Sequence, residues 1–239
     1  MQKNKNFTYT NYIDSLNKLK EKHKFSFFET FSKNDVILRH DIDISLEPAL
    51  KIAEIEYKKN IFSTYFILFH SPFYNPFSTK STQIIKKIRK MGHKIGLHYD
   101  SSYYIQNNLS PNKMIKHELE VFNQHFNDEI NLISAHQPTI NKKIQLKLNK
   151  KIINVDSLKF RKNRKYISDS VQNWREGSIE KFTDYSQLYI LTHPIWWTKK
   201  GLSRKLILKE LVGGKFDEYK KSIKELKKLQ DQYLINLKK

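Results

Sequence analysis

The chain has 239 residues, 38% of them hydrophobic, which is enough for the buried core of one sizeable α/β domain. It contains no cysteine, so disulfides and thiolate chemistry are excluded, and any metal must be held by histidine, aspartate or glutamate. The net charge of +20 comes mainly from lysines dispersed along the chain, which favours a solvated basic surface over a specific nucleic-acid footprint.

Targeting and domain-boundary signals are weak throughout the chain. The basic amino terminus is not followed by an apolar signal-peptide core, and no segment approaches the roughly 20 apolar residues that a membrane span requires. No linker-like or repeated stretch divides the sequence. We therefore expect one domain over residues 1–239, placed in the cytoplasm. The positive charge would suit an anionic substrate or peripheral contact with an anionic membrane face.

Predicted strands and helices alternate along the chain. Strands are expected at 36–43, 62–69, 94–98, 130–135, 152–155, 165–167 and 188–191, and helices at 47–59, 81–91 and 113–126. A long amphipathic helix closes the chain at about 203–237, and we expect its apolar face to pack on the outside of the domain. This alternation is typical of a parallel α/β sheet or barrel, and we predict a distorted (β/α) barrel.

Polar side chains of the types that bind metals recur at the ends of the predicted strands. In parallel α/β folds the chemistry lies at the carboxyl ends of the strands. Core packing does not account for such residues at one strand end after another. They are Asp41 with Asp43, His98, His136, Asp169 and His193.

Asp41 and Asp43 are two residues apart on a strand, so their side chains point to the same face. Two carboxylates so close repel each other unless a cation neutralises one of them. One acid can then bind a metal while the other serves as a base. Pairing of these acids with Arg39 or with lysines is the purely structural alternative.

Two histidines at strand ends suggest different roles. His98 suits a neutral imidazole ligand of a metal, whereas His93 lies an odd number of residues away on the same strand and is expected to be structural on the opposite face. His193 follows an apolar run and suits a general acid. The adjacent Trp196 and Trp197 form either a platform for a sugar ring or part of the core.

In chain order these residues resemble the polysaccharide deacetylases, also called carbohydrate esterase family four. The resemblance runs from about Val36 to Trp197, most of the chain, and its most specific part is Gly92–His98, which is similar to the family's G-H-E-I-G-N-H. The other matching segments are His40–Asp43 for the paired-aspartate motif, Thr64–Phe66 for the aromatic strand, Ser134–Pro138 for R-P-P, Asp169–Trp174 for D-x-x-D-W and Leu191–His193 for L-x-H.

The resemblance implies roles for individual residues. Asp41 would be the catalytic base, His193 the catalytic acid, and Asp43 and His98 metal ligands. The family's second histidine is Ser102 here, and the arginine that orients the base is replaced by His136. We therefore expect His136 to be the third ligand, with Asp100 as the alternative. Substrate contacts are expected at the aromatic and basic side chains Trp174, Arg175, Trp196 and Trp197.

The resemblance implies an activity: hydrolysis of an N-acyl group, expected to be acetyl, on a sugar, with one divalent metal ion, expected to be zinc. A cytoplasmic place would favour a nucleotide-linked or lipid-linked precursor of a surface glycan over a mature polymer. Two alternatives stay open, a sugar N-deformylase and a non-catalytic glycan-binding relative. The displaced metal histidine at Ser102 is the main support for the second.

Overall fold

The computed structural model of the protein describes residues 4–138 and 146–236. Its strands are β1 (Lys24–Ser26), β2 (Asp35–Ile42), β3 (Thr64–Leu68), β4 (Lys94–Tyr99), β5 (Leu132–Ala135), β6 (Ile153–Asn154), β7 (Lys165–Ser168) and β8 (Leu188–Thr192). Its α-helices are α1 (Tyr9–Lys22), α2 (Leu46–Tyr57), α3 (Thr79–Lys90), α4 (Ser101–Gln106), α5 (Pro111–Phe126), α6 (Leu158–Arg161) and α7 (Arg204–Asn236). Short 3₁₀ helices lie at Lys5–Phe7, Ser170–Gln172, Ile179–Phe182 and Pro194–Trp196.

All eight strands belong to one sheet, in the order β6-β5-β4-β3-β2-β8-β7, with β1 beside the first half of β2. Every strand pairing is parallel. The helices that follow β2, β3 and β4 return the chain to the start of the next strand, as parallel pairing requires.

Contacts across the sheet show that it is strongly curled. A flat sheet would hold β2 and β6 about 19 Å apart, at about 4.8 Å per strand. Instead, Arg39 Nη1 on β2 lies 3.1 Å from Asp156 Oδ1, two residues beyond β6. The hydroxyl of Tyr189 on β8 donates to the carbonyl of Val155 at 3.2 Å. The predicted fold class, a distorted barrel of parallel strands with helices, is confirmed.

The inner face of the barrel is filled at one level by large apolar side chains. Phe66 is fully buried there, and Gly96 on the neighbouring strand makes room for it, because a Cβ at Gly96 would lie 2.4 Å from the Phe66 ring. Beyond this layer, towards the carboxyl ends of the strands, the inner face becomes polar. The cluster consists of Phe28, Ile37, Phe66, Leu132, Val155, Phe160 and Tyr189.

The helix α7 differs from its prediction. Its Ile207 is buried, but the apolar side chains from Val212 onwards are mostly in solvent: Val212 is 69% exposed and Leu226 is 65% exposed. The expectation that this face packs on the domain is therefore wrong for the described side chains of the stripe, while Leu237 lies outside the described residues. No helix among residues 4–138 and 146–236 is long and apolar enough to cross a membrane.

Candidate functional site

The carboxyl edge of the sheet brings the predicted site residues together. Asp41 lies near the end of β2 and His98 near the end of β4. Asp43, His136 and His193 follow closely on the ends of β2, β5 and β8. Because parallel strands end at one edge, residues far apart in the chain converge there.

Three of these side chains form a compact triangle of ligand atoms. Asp43 Oδ1 lies 3.3 Å from His98 Nε2 and 3.4 Å from His136 Nδ1, and the two nitrogens are 3.3 Å apart. Two ligands held about 2.0–2.1 Å from a tetrahedral zinc ion are separated by about 3.3–3.4 Å, so the spacing matches that of ligands around one ion. Among the described residues, this is the group of histidines and carboxylates suited to hold a metal.

Hydrogen bonding around the triangle also fits a cation. His98 Nδ1 lies 3.1 Å from the carbonyl oxygen of Ser134, which can only accept, so Nδ1 carries the proton and the lone pair of Nε2 faces the triangle. Asp43 Oδ1 is buried and accepts no hydrogen bond. Burial by itself would raise the pKa of Asp43, but its polar contacts with His136 and His98 and the charge of His193 hold it well below its usual value.

Asp41 stands beside the triangle without belonging to it. Its Oδ2 accepts a hydrogen bond from Arg39 Nη2 at 3.1 Å and lies 3.8 Å from His98 Nε2. Its Oδ1 is buried without a hydrogen-bond partner, so this oxygen can accept a proton from water or substrate. Asp41 therefore has the placement of a base that is held in position by an arginine.

Arg39 holds the base candidate Asp41 in position, a role that the family motif gives to an arginine at the place of His136. It is 1% exposed, and its second amino group donates to Asp156 Oδ1 at 3.1 Å and to the Tyr189 hydroxyl at 2.7 Å. The pairing of Arg39 with an acid, which was the structural alternative for the aspartate pair, is thus real. This pairing is compatible with the triangle, because Arg39 binds Asp41 and not the triangle member Asp43.

His193 lies beside the triangle, next to Asp43, and contacts a buried acid. Its Nε2 lies 3.9 Å from Asp43 Oδ2, while its Nδ1 and its backbone N–H contact Asp169 Oδ1 at 2.7 and 2.9 Å. The other oxygen of Asp169 accepts from Trp197 Nε1 at 3.0 Å. Burial lowers the pKa of His193, but the hydrogen bond and charge of Asp169, followed by the charges of Asp43 and Asp41, raise it to about 9. A protonated His193 can therefore serve as an acid near neutral pH.

Comparison with known proteins gives distant structural likenesses. No family model matches the chain, and no curated protein matches it. A chitin deacetylase from the fungal pathogen Colletotrichum lindemuthianum is 15% identical, over 81% of this chain and 86% of that one, with a TM-score of 0.45. A family 4 acetyl xylan esterase from Clostridium thermocellum, solved with cobalt, is 14% identical, over 66% and 73%, with a TM-score of 0.39.

A third likeness is to a protein described as a pseudoenzyme of the same family, from Bacillus anthracis. It is 13% identical, over 77% of this chain and 62% of that one, with a TM-score of 0.42. The chain resembles the polysaccharide deacetylases. Because these TM-scores lie below 0.5, the likeness carries no argument about activity, which has to stand on the residues at the sheet edge.

The two candidates for the third metal ligand, His136 and Asp100, have different surroundings in the structure. His136 supplies a nitrogen to the triangle. The carboxylate of Asp100 instead caps α4, where Oδ1 accepts from the backbone N–H of Ser102 at 2.9 Å and of Tyr103 at 3.4 Å. Asp100 is thereby occupied in holding the helix start, which favours His136.

Of the two alternatives for Trp196 and Trp197, a sugar platform or part of the core, the structure favours the core. Trp196 and Trp197 are 8% and 2% exposed, and the Trp197 ring packs against Phe7 and Tyr12 with centroids 5.1 and 4.7 Å away. Both tryptophan rings are buried in the core, because β8 leads directly into a buried 3₁₀ turn. Trp197 contributes to the site through its N–H to Asp169 instead.

Two other predicted substrate contacts lie further out. Trp174 is half-buried and stacks on Phe7, with ring centroids 6.1 Å apart. Arg175 is exposed, and no contact between it and the triangle is among those that the structure describes. Sequence reasoning missed the roles of Asp169 and Arg39. A signal existed for Asp169, which follows a predicted strand, and for Arg39, which shares a strand face with Asp41.

Proposed function

We propose that this protein is a metal-dependent hydrolase that removes an N-acyl group, preferentially acetyl, from a sugar. The observation that carries the proposal is the triangle of Asp43 Oδ1, His98 Nε2 and His136 Nδ1, with edges of 3.3–3.4 Å. The base candidate Asp41 lies 3.8 Å from His98 Nε2, and Nε2 of His193 lies 3.9 Å from Asp43 Oδ2. Amide hydrolysis needs these three elements: a centre that stabilises charge on the carbonyl oxygen, a base for water and an acid for the departing amine.

The chain's own residues divide the work as follows. A divalent cation, for which zinc suits a donor set of one carboxylate and two imidazoles, would supply positive charge to polarise the acyl carbonyl and to acidify water. Asp41 accepts the proton of the attacking water at Oδ1, while Arg39 holds its other oxygen in place. His193 donates the proton of Nε2 to the amine as the C–N bond breaks, and Asp169 holds the ring at Nδ1.

The burial of these groups supports the assignment of acid and base. The side chains of Asp41 and His193 are 5% and 13% exposed, so charge interactions at this edge of the sheet are weakly screened. The main support for a non-catalytic glycan-binding relative is the missing second histidine. The nitrogen that His136 places in the triangle weighs against that alternative.

We propose a sugar carried on a diphosphate, either nucleotide-linked or lipid-linked, as the substrate class. The net charge of +20 supports an anionic carrier. Deformylation uses the same three elements and differs only in the size of the acyl group, so it stands beside deacetylation as a reaction of the same site.

The test is acyl release by the purified chain loaded with zinc, measured against a panel of N-acetyl and N-formyl sugars that are free, nucleotide-linked or lipid-linked. We expect acetate release from a diphosphate-linked sugar and loss of that release with His98→Ala. His117→Ala, which alters an exposed histidine on α5, is the matched control and should keep full activity. Zinc-loaded protein that releases neither acetate nor formate from any member of the panel would overturn the proposal.

A further inference from the structure

The outer part of α7 carries an apolar stripe that the rest of the described chain leaves uncovered. Its members recur at alternating spacings of four and three residues, which places them on one face of the helix. Each is more than half exposed. They are Val212 at 69%, Phe216 at 59%, Tyr219 at 68%, Ile223 at 53% and Leu226 at 65%.

Lysines border this stripe, and acidic residues lie on the other half of the helix. At 3.6 residues per turn, Lys215, Lys220 and Lys227 border the stripe, on both sides of it. The acidic residues of 204–229 fall on the opposite half of the helix; they are Glu210, Asp217, Glu218 and Glu225. An apolar face edged by lysines and free of acids is the pattern of a helix that lies on an anionic bilayer surface.

The same charges disfavour pairing of the stripe with a second copy of the chain. The spacing of four and three residues is also that of a coiled-coil seam, in which the flanking positions face each other across the pair. Here those positions include Lys215, Lys220 and Lys227, so two copies would bring lysine against lysine. A negatively charged surface meets no such repulsion.

α7 passes the edge of the sheet that holds the candidate site. Lys80 Nζ, in the first turn of α3, lies 2.8 Å from Glu218 Oε1 on α7 and 2.5 Å from Glu47 Oε1 on α2. Both α2 and α3 begin at the carboxyl edge of the sheet, and Glu47 is four residues beyond Asp43. Because Glu218 lies on the half of α7 opposite the stripe, the stripe faces away from α2 and α3. A bilayer that takes up the stripe would therefore lie beyond α7, near the edge of the sheet that holds the site.

We propose that α7 is an amphipathic surface helix that docks this protein on an anionic membrane and presents the candidate site to a sugar carried on a lipid. The docking stands on the stripe and its lysines alone, whereas the lipid-carried substrate rests on the proposed function. Within the substrate class proposed above, this inference selects the lipid-linked member.

Partition of the full chain onto vesicles tests the docking without requiring activity. Vesicles of phosphatidylcholine with phosphatidylglycerol should bind the protein, and vesicles of phosphatidylcholine alone should bind it much more weakly. The stripe variant Phe216→Ala/Ile223→Ala/Leu226→Ala keeps good helix formers and should bind at least about tenfold more weakly. Circular dichroism checks that the helix content is retained.

Two lysine variants of equal net charge distinguish binding through the stripe from general attraction of a basic protein to an anionic membrane. Lys215→Gln/Lys220→Gln/Lys227→Gln removes the border of the stripe, and Lys221→Gln/Lys224→Gln/Lys228→Gln removes the same charge away from it. We expect the first variant to lose at least about tenfold in partition and the second to lose less than about threefold. Equal losses, no binding by the wild type, or a stripe-dependent dimer in sedimentation would each overturn the docking.

The same vesicles distinguish failure of the docking from failure of the proposed function. Asp41→Asn should bind anionic vesicles as the wild type does, since Asp41 lies inside the barrel. Acyl release from a vesicle-borne lipid-linked sugar should fall with the stripe variant, while release from a nucleotide-linked sugar in solution should not. Release from the lipid-linked sugar that is indifferent to the stripe would overturn the substrate selection while leaving the hydrolase intact.

Discussion

Two clusters of one acid and two histidines lie on opposite faces of the same strands. On the inner face are Asp43, His98 and His136, at the carboxyl edge of the sheet. On the outer face Glu56 of α2 lies against His40 of β2, with Nε2 to Oε1 at 2.9 Å, and His93 Nδ1 is 3.6 Å from Oε2. The residue types are nearly identical, so composition alone does not separate a metal centre from a structural network.

The outer cluster is saturated with hydrogen bonds. Glu56 Oε1 also accepts from Tyr12, and Oε2 accepts from the hydroxyls of Ser63 and Tyr65, both at 2.7 Å. The second nitrogen of His40 lies 2.6 Å from the Thr192 hydroxyl, and His93 Nε2 lies 3.1 Å from the carbonyl of Ala53. Each polar atom has a protein partner, as a fixed buried network requires.

The inner cluster lacks that saturation. Asp43 Oδ1 and Asp41 Oδ1 are buried without hydrogen-bond partners, and lone pairs of His98 and Asp43 converge on one point. Unpaired polar atoms that converge are costly unless a cation joins them. Satisfaction of hydrogen bonds, rather than residue type, therefore distinguishes the candidate site from the structural network.

The largest expected effect concerns catalysis on the inner face. Asp41→Asn and His193→Ala should each lower kcat by about 10²–10⁴-fold, because each removes a general base or acid, while the metal stays bound. Acyl release and metal content are measured together on each variant. Wild-type turnover in both variants would contradict the roles assigned to these two residues.

The next effect concerns stability on the outer face. Glu56→Gln should destabilise the fold by about 3–5 kcal/mol, because it breaks a fully buried pair with His40. Burial would raise the pKa of Glu56, but His40, His93 and Tyr12 lower it from 4.5 to about 2. The stability that its charge contributes is therefore present above pH 4.5 and is lost as the pH falls towards about 2.

Urea unfolding of wild type and Glu56→Gln across this pH range checks the prediction. The difference in free energy of unfolding should be largest above pH 4.5 and should shrink as the pH approaches 2. A difference that is constant with pH would show that the ionised carboxylate is not the source of the stability.

Much of the fold was predictable because apolar runs and helical spacing are local signals. β2, β3, β4, α3 and α5 were expected close to their observed bounds. α1 and β1 were missed. β1 has only three residues, too few to show an alternation of apolar and polar positions in the sequence. The apolar face of α7 was wrongly expected to pack on the domain, because an apolar face indicates that the helix has a partner but does not indicate which partner.

For the site, the sequence indicated which side chains stand at strand ends but did not indicate their partners. Curling of the sheet brings Arg39 to Asp156, and the parallel pairing of β7 with β8 brings Asp169 to His193, because each residue follows the end of its strand. Both are contacts between distant parts of the chain. The sequence left Trp196 and Trp197 open between platform and core, because the exposure of a ring depends on packing by Phe7 and Tyr12, far away in sequence.

A smaller effect is expected from the third ligand. His136→Ala should weaken zinc binding by at least about tenfold, because two of the three ligand atoms remain. Asp100→Asn should leave the affinity unchanged, because that carboxylate caps α4. Competition with a chelator measures both constants. Unchanged affinity in His136→Ala would remove it from the ligand set.

The smallest effect is a shift in the pH profile. Asp169 raises the pKa of His193, so Asp169→Asn should lower it, and the protonated acid should be lost at a lower pH than in the wild type. The alkaline limb of kcat/KM should therefore move towards neutral pH, by on the order of one pH unit. An unmoved alkaline limb would show that another group controls it.

Zinc stoichiometry of matched histidine variants tests the difference between the two clusters most directly. Metal-free protein is titrated with zinc and analysed for metal after dialysis, using the wild type, His98→Ala from the inner cluster and His93→Ala from the outer one. We expect one equivalent in the wild type and in folded His93→Ala, and none in His98→Ala. Circular dichroism identifies any variant that has not folded. Equal zinc content in folded His98→Ala and wild type, or no zinc in the wild type, would contradict the metal centre.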